Sequence, residues 1–240
     1  MKILITNDDG INAEGIRHLV EFAKTKGEVV VCAPKYEQSA KSHAIEIREA
    51  FEIKKVDLFD GVRAYSIDST PADCVRFAFL GLKEKFDIVL SGINRGPNLG
   101  LDLVYSATLG AVFEAGRLGV SGIAFSTNFD SFDNAKRTLP AIYEEFERRS
   151  LLSKNQLYNV NIPSTETKGI RYTTQGGIYY TDEFVPLGRD DLYRQDGHCA
   201  YQGTKNLCED IDAFSCGYVS ITPLSKSRTA TDVLYKLQSE

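Results

Sequence analysis

The chain has 240 residues, 42% of them hydrophobic, which supplies one large core, and no run approaches the ~20 apolar residues needed to cross a bilayer. A net charge of -5 with scattered lysines and arginines speaks against a nucleic-acid polymer or another extended polyanion as partner. Five cysteines without a Cys-x-x-Cys pair speak against a zinc site or a disulfide framework and fit a reducing cytoplasm, and the N-terminus reaches Asp8 too soon for a signal peptide.

Residues 2–6 form a short apolar strand running into Asn7-Asp8-Asp9-Gly10. Residues 13–26 have helical apolar spacing at Ile16, Leu19, Val20 and Ala23, with Asn12 as N-cap and Gly27 beyond the end. Residues 28–33 then read as a buried strand stopped by Pro34, which completes a β-α-β unit. Residues 45–67 alternate apolar and charged side chains, as half-exposed strands do. Thr70-Pro71-Ala72-Asp73 is a helix start, and that helix is expected to end near Gly81.

A strand at 87–91 leads into the glycine-rich stretch Gly92-Ile93-Asn94-Arg95-Gly96-Pro97-Asn98-Leu99-Gly100 and a helix over 106–117. A strand at 120–125 and a helix over 133–149, kinked or split at Pro140, follow. Strands are expected at 157–163, 170–174 and 218–222, with an extended hairpin or arm over 179–201. Alternating strands and helices predict an α/β fold, a Rossmann-like, doubly wound, mostly parallel sheet with a smaller β-rich arm. One domain spans 1–240, with its core at about 1–165 and 210–225 and the arm at about 175–205.

Open α/β sheets bind ligands at the carboxyl ends of their strands. Asp8 and Asp9 follow the first strand, Ser39 lies in the loop after the second, and Asn94 follows the strand ending at Ser91. Two adjacent carboxylates are unfavourable without a compensating charge, and these four residues offer only oxygen ligands. That set suits one divalent ion, Mg²⁺ or Mn²⁺, although Asn, Asp and Gly also form plain polar turns. Gly92 and Gly96 let backbone approach a ligand, with Asn98 in the same loop. The hydroxyls of Ser106 and Thr108 at a helix start make a phosphate cradle, unless Ser106 is only an N-cap. His43 is a proton donor, a ligand-positioning residue or a surface hydrogen-bonder.

These residues carry a resemblance. The stretches 3–10, Ala33-Pro34 with Gln38-Ser39, 70–75, 91–100, Tyr105-Ser106, 159–163 and 217–224 are similar, in order, to the survival protein E (SurE) family of 5′/3′-nucleotidases. The resemblance implies a cytoplasmic, metal-dependent phosphomonoesterase that removes phosphate from nucleoside monophosphates, with short polyphosphate as a further substrate. It implies metal roles for Asp8, Asp9, Ser39 and Asn94, a catalytic set of Asp8, Asp9 and Asn94, and a homodimer or homotetramer exchanging C-terminal elements. The chain departs from the family pattern at Ala107, at Glu46 and at Lys35-Tyr36. Two rivals remain: a covalent route through Asp8, disfavoured because the carboxylates are adjacent and not Asp-x-Asp, and a non-catalytic nucleotide-binding module, disfavoured by the lack of glycine-rich dinucleotide and phosphate-loop motifs.

Overall fold

The computed structural model describes residues 1–239. Its centre is a nine-stranded sheet built from β1 (Lys2–Thr6), β2 (Glu28–Pro34), β3 (Ile53–Val56), β4 (Arg63–Ile67), β5 (Ile88–Arg95), β6 (Ser121–Thr127), β7 (Leu157–Ile162), β8 (Ile170–Tyr172) and a late strand, Val219–Leu224. The order across the sheet is β3-β4-β2-β1-β5-β6-β7, then the late strand, then β8. The six strands from β4 to β7 are parallel, while β3 and the late strand run antiparallel to their neighbours β4 and β7.

Both faces of β1 are covered, as a buried parallel strand requires. Ile3 and Ile5 pack with Ile16, Leu19 and Val20 of α1 (Glu14–Lys24) and with Leu139, Ile142 and Phe146 of α4 (Asp133–Arg148). Leu4 points the other way, toward Cys74 and Val75 of α2 (Pro71–Arg76) and Ala111 and Ala115 of α3 (Ala107–Arg117). The chain moves outward from β1 to β2 and β4 and then returns to β5 on the other side of β1. The crevice at that reversal lies above the carboxyl ends of β1 and β5, where Asp8 and Asn94 stand.

The expected α/β architecture is therefore present, with several local corrections. α1 starts at Glu14 with Ala13 in the cap position and no side-chain cap, so Asn12 does not cap it. Residues 45–48 alternate without forming a strand, because the Glu46 carboxylate accepts the N–H groups of Arg48 and Glu49 and turns the chain. The helix from Pro71 passes at Phe77–Gly81 into a wider π-helical turn. Pro140 does not split α4: its ring is on the exposed side, where solvent satisfies the carbonyl that loses its partner. α5 (Leu151–Lys154), α6 (Asp210–Ser215) and α7 (Thr231–Ser239) are too short or too weakly patterned to have been read from periodicity. The hairpin is β9 (Tyr180–Arg189) paired with β10 (Leu192–Cys199) as a separate antiparallel ribbon, so the late strand is β11.

Candidate active site

Asp8 is 5% exposed at the first turn after β1. Its Oδ1 accepts the Thr108 hydroxyl at 2.6 Å, from the first turn of α3. Burial pushes its carboxyl up to about 7, and the neighbouring Asp9 adds to the rise against the lowering hydrogen bonds from Thr108 and the backbone. Asp9 is also raised, first by burial and then by Glu37, while its Oδ2 accepts the Arg95 N–H at 3.0 Å and is lowered by it. Among the described residues neither carboxylate forms a salt bridge. The Arg95 guanidinium is spent on the Phe129 carbonyl and Glu14.

Asn94 owes its place to an irregularity in β5. Pairing with β6 shifts register between Ser91 and Asn94, and Gly92 sits there at φ +131° with no room for a side chain, since a Cβ would meet the Phe125 carbonyl oxygen at 2.3 Å. Gly92 is thus a backbone requirement beneath the site. Asn94 Nδ2 donates to the Gly96 carbonyl at 2.7 Å, which turns its Oδ1 outward as the available atom.

A polar network fixes the loop that follows. The Asn98 carbonyl accepts from Nδ2 of both Asn159 and Asn161 at 2.8 Å, and its N–H donates to Asn161 Oδ1. Its Nδ2 donates to Ser126 Oγ at 2.9 Å. Asn98 therefore shapes the loop through its backbone and amide. Asn159 and Asn161 are buried and point to one side of β7. Two asparagines spaced i, i+2 inside an apolar strand are the sequence signal for this role.

Ser106 is the N-cap of α3, accepting the Leu109 N–H at 3.2 Å, and among the described residues its own hydroxyl proton is not spent in a hydrogen bond. The Thr108 hydroxyl, by contrast, is completely buried and committed to Asp8. The Ser39 hydroxyl donates to Glu37 at 2.6 Å and keeps its oxygen free to coordinate. His43 faces Glu114 at 2.9 Å, beside Arg76 and Arg117, and so anchors the Ser39 loop to α3.

Asp8, Ser39, Asn94, Gly96, Asn98 and Ser106 open onto one cavity of about 620 Å³. Gly92, His43 and Thr108 lie behind its wall, and Asp9 stands at its margin. Tyr105, Phe129, Asp102 and the hairpin residues Tyr180, Asp182, Gln195 and Gly197, none of them a candidate site residue from the sequence, also line it. Asp8, Ser39 and Asn94, which line the cavity, and the neighbouring Asp9 offer only oxygen donors, the chemistry that suits a hard divalent cation.

The family model for Survival protein SurE matches residues 3–182. The chain is 39% identical over 249 residues to 5′-nucleotidase SurE of Thermoanaerobacter sp. (strain X514), covering 100% of this chain and 98% of that protein. It is 38% identical over 252 residues to 5′-nucleotidase SurE of Thermosipho melanesiensis, covering 99% and 96%. The crystal structure of the SurE protein from Aquifex aeolicus superposes with a TM-score of 0.83 at 32% identity, covering 100% of this chain and 99% of that one.

Proposed function

The chain belongs to the survival protein SurE family, and from that premise we propose that it is a 5′-nucleotidase, releasing phosphate from nucleoside monophosphates with one divalent cation held by Asp8, Asp9, Ser39 and Asn94. The observation that carries the reading is the buried Asp8 carboxyl at the cavity, beside a second carboxylate, with no salt bridge to either among the described residues. Such a pair is costly in isolation and is stabilised by a cation. Mg²⁺ and Mn²⁺ suit the oxygen donors equally.

An ion held by Asp8, Asp9, Ser39 and Asn94 would supply polarisation of the phosphoryl group and a more acidic attacking water. A carboxylate of the Asp8–Asp9 pair takes the water's proton. Thr108 holds Asp8 in place through its hydroxyl, and the Asn98 network holds the loop that carries Asn94 and Gly96. Ser106 donates its free hydroxyl proton to a phosphoryl oxygen. The leaving alkoxide departs in line with the incoming water and becomes the alcohol by taking a proton from solvent, the equivalent of the one the Asp8–Asp9 pair removed.

The same chemistry extends to 3′-monophosphates and to short polyphosphates. Five free thiols, two of them exposed, suit a reducing cytoplasm. No helix among the described residues is long and apolar enough to cross a membrane. Exposed Phe184 and Tyr193 on the hairpin and Tyr235 and Leu237 on α7 are suited to contacts between copies in a homodimer or homotetramer.

Calorimetric titration of Mn²⁺ into the wild type and Asp9→Asn, with phosphate release measured on the same samples, tests the reading. One ion per chain is expected, with binding weakened at least tenfold and turnover lost in the variant while its circular dichroism is unchanged. Near-normal turnover in Asp9→Asn would remove Asp9 from the site, and tight nucleotide binding without phosphate release would make the chain a binding module.

A further inference from the structure

The hairpin closes part of the cavity with side chains that have no task in phosphate chemistry. Tyr180 and Asp182 of β9 and Gln195 and Gly197 of β10 line it. Asp182 pairs with Gly197, and Tyr180 with Cys199, so these lining residues share one face of the ribbon. A Cβ at 197 would stand 2.5 Å from Asp182 Oδ1, so the glycine is what lets the carboxylate lie across the ribbon. Among the described residues, neither Asp182 nor Gln195 is engaged by a hydrogen bond or an ion pair.

Tyr105 and Phe129 add two aromatic rings to the same cavity, each 60% exposed. The Phe129 ring lies over Gly96, where a Cβ would meet its Cε1 at 2.6 Å. Exposed rings beside a polar cleft are stacking platforms for flat heterocycles. Two glycines, in separate parts of the chain, thus make room for one ring and one carboxylate at a single opening.

We propose that this end of the cavity seats the nucleobase: Tyr105, Phe129 and Tyr180 hold its faces, and Asp182 with Gln195 reads its edge, selecting bases that carry an exocyclic amino group. A carboxylate only accepts hydrogen bonds. It pairs with the amino group of cytosine or adenine and is repelled by the carbonyl oxygen that uracil or hypoxanthine presents at the same place. The Gln195 amide supplies the donor for the adjoining ring nitrogen. This selectivity rests on the nucleotidase reading and adds to it a role for the hairpin.

The test is kcat/KM of the Mn²⁺-loaded enzyme for the pairs CMP and UMP, and AMP and IMP, with ribose 5-phosphate as a substrate lacking a base. CMP and AMP are expected to be favoured over UMP and IMP by about tenfold, the scale of one charge-assisted hydrogen bond at a solvent-facing site. Asp182→Asn brings both ratios toward one, because an amide both donates and accepts. Gly197→Ala, which crowds the carboxylate, does the same and serves as the second variant should the first misfold. Phe129→Ala slows all four nucleotides relative to ribose 5-phosphate and leaves their ratios intact. Wild-type ratios near one, or ratios unmoved by both hairpin variants, would overturn the base seat while leaving the nucleotidase reading standing. No phosphate from any of the five substrates would overturn the nucleotidase reading and the base seat with it.

Discussion

Replacing Asp8 with asparagine removes a charge and keeps the shape, and it separates stability from activity. Asp8 has an ordinary value of 3.8 and is pushed up to about 7 in the fold, first by burial. Carrying the ionised group into the fold at pH 8 therefore costs about 4 kcal/mol. That cost is net of the Thr108 hydroxyl's hydrogen bond, which the asparagine Oδ1 also accepts. In EDTA at pH 8, Asp8→Asn should thus be more stable by about 4 kcal/mol, or about 8–16 °C in Tm for a chain of this size. From about pH 4 to 7 the unfolded wild type releases the Asp8 proton while the folded protein retains it, so wild-type stability falls as pH rises and levels off above 7. The variant lacks that fall, so the two proteins converge near pH 4. Urea unfolding at pH 4, 6 and 8 reads the difference, and phosphate release should be lost throughout. A variant no more stable than wild type at pH 8, or one with the same advantage at pH 4, would refute a buried, charge-strained Asp8.

Four further substitutions probe the supports of the site. Thr108→Ala removes a hydrogen bond that lowers the Asp8 carboxyl, so the acid limb of the pH–rate profile should move to higher pH, with turnover down about 10- to 100-fold; an unmoved limb would detach Thr108 from Asp8. Ser106→Ala should slow turnover by about 10- to 1,000-fold and cost about 1 kcal/mol in unfolding as a lost cap, and turnover within twofold of wild type would exclude it from phosphate binding. At Glu114 burial opposes ionisation, yet hydrogen bonds from His43, Arg117 and Arg76 together with the Arg117 charge hold the carboxyl down at about 2. Its stabilisation is full above about pH 4.5 and lost as pH falls toward 2, so Glu114→Gln should cost about 3 kcal/mol at pH 7 and little at pH 2 by urea unfolding. Gly100→Ala places a Cβ 2.0 Å from the Gly177 carbonyl oxygen at φ +55°, and should loosen the seam to the hairpin, seen as faster proteolysis within residues 175–205.

Features that depend on neighbours in sequence were legible before the structure. The apolar run of β1 ending at Asp8-Asp9, the strand leading to Asn94, and Ser106 opening α3 all follow from local pattern, and their convergence follows from the rule for open parallel sheets. Features set by distant partners were not. Nothing near His43 announces Glu114, 71 residues away, and nothing near Thr108 announces Asp8, 100 residues away. Residues 45–48 carried the alternation of a strand, but the Glu46 side chain offered the backbone an alternative. The base-facing part of the cavity was hidden because Phe129, Tyr180 and Asp182 come from separate loops and a ribbon, each unremarkable in its own segment.

Metal-dependent nucleotidase activity is read as phosphate release from 5′- and 3′-nucleoside monophosphates in EDTA and again with Mg²⁺ or Mn²⁺ restored. No release is expected in EDTA and release is recovered by either ion in the wild type, with no recovery in Asp9→Asn. Release that persists in EDTA, or none from a folded wild type with either ion, would contradict it.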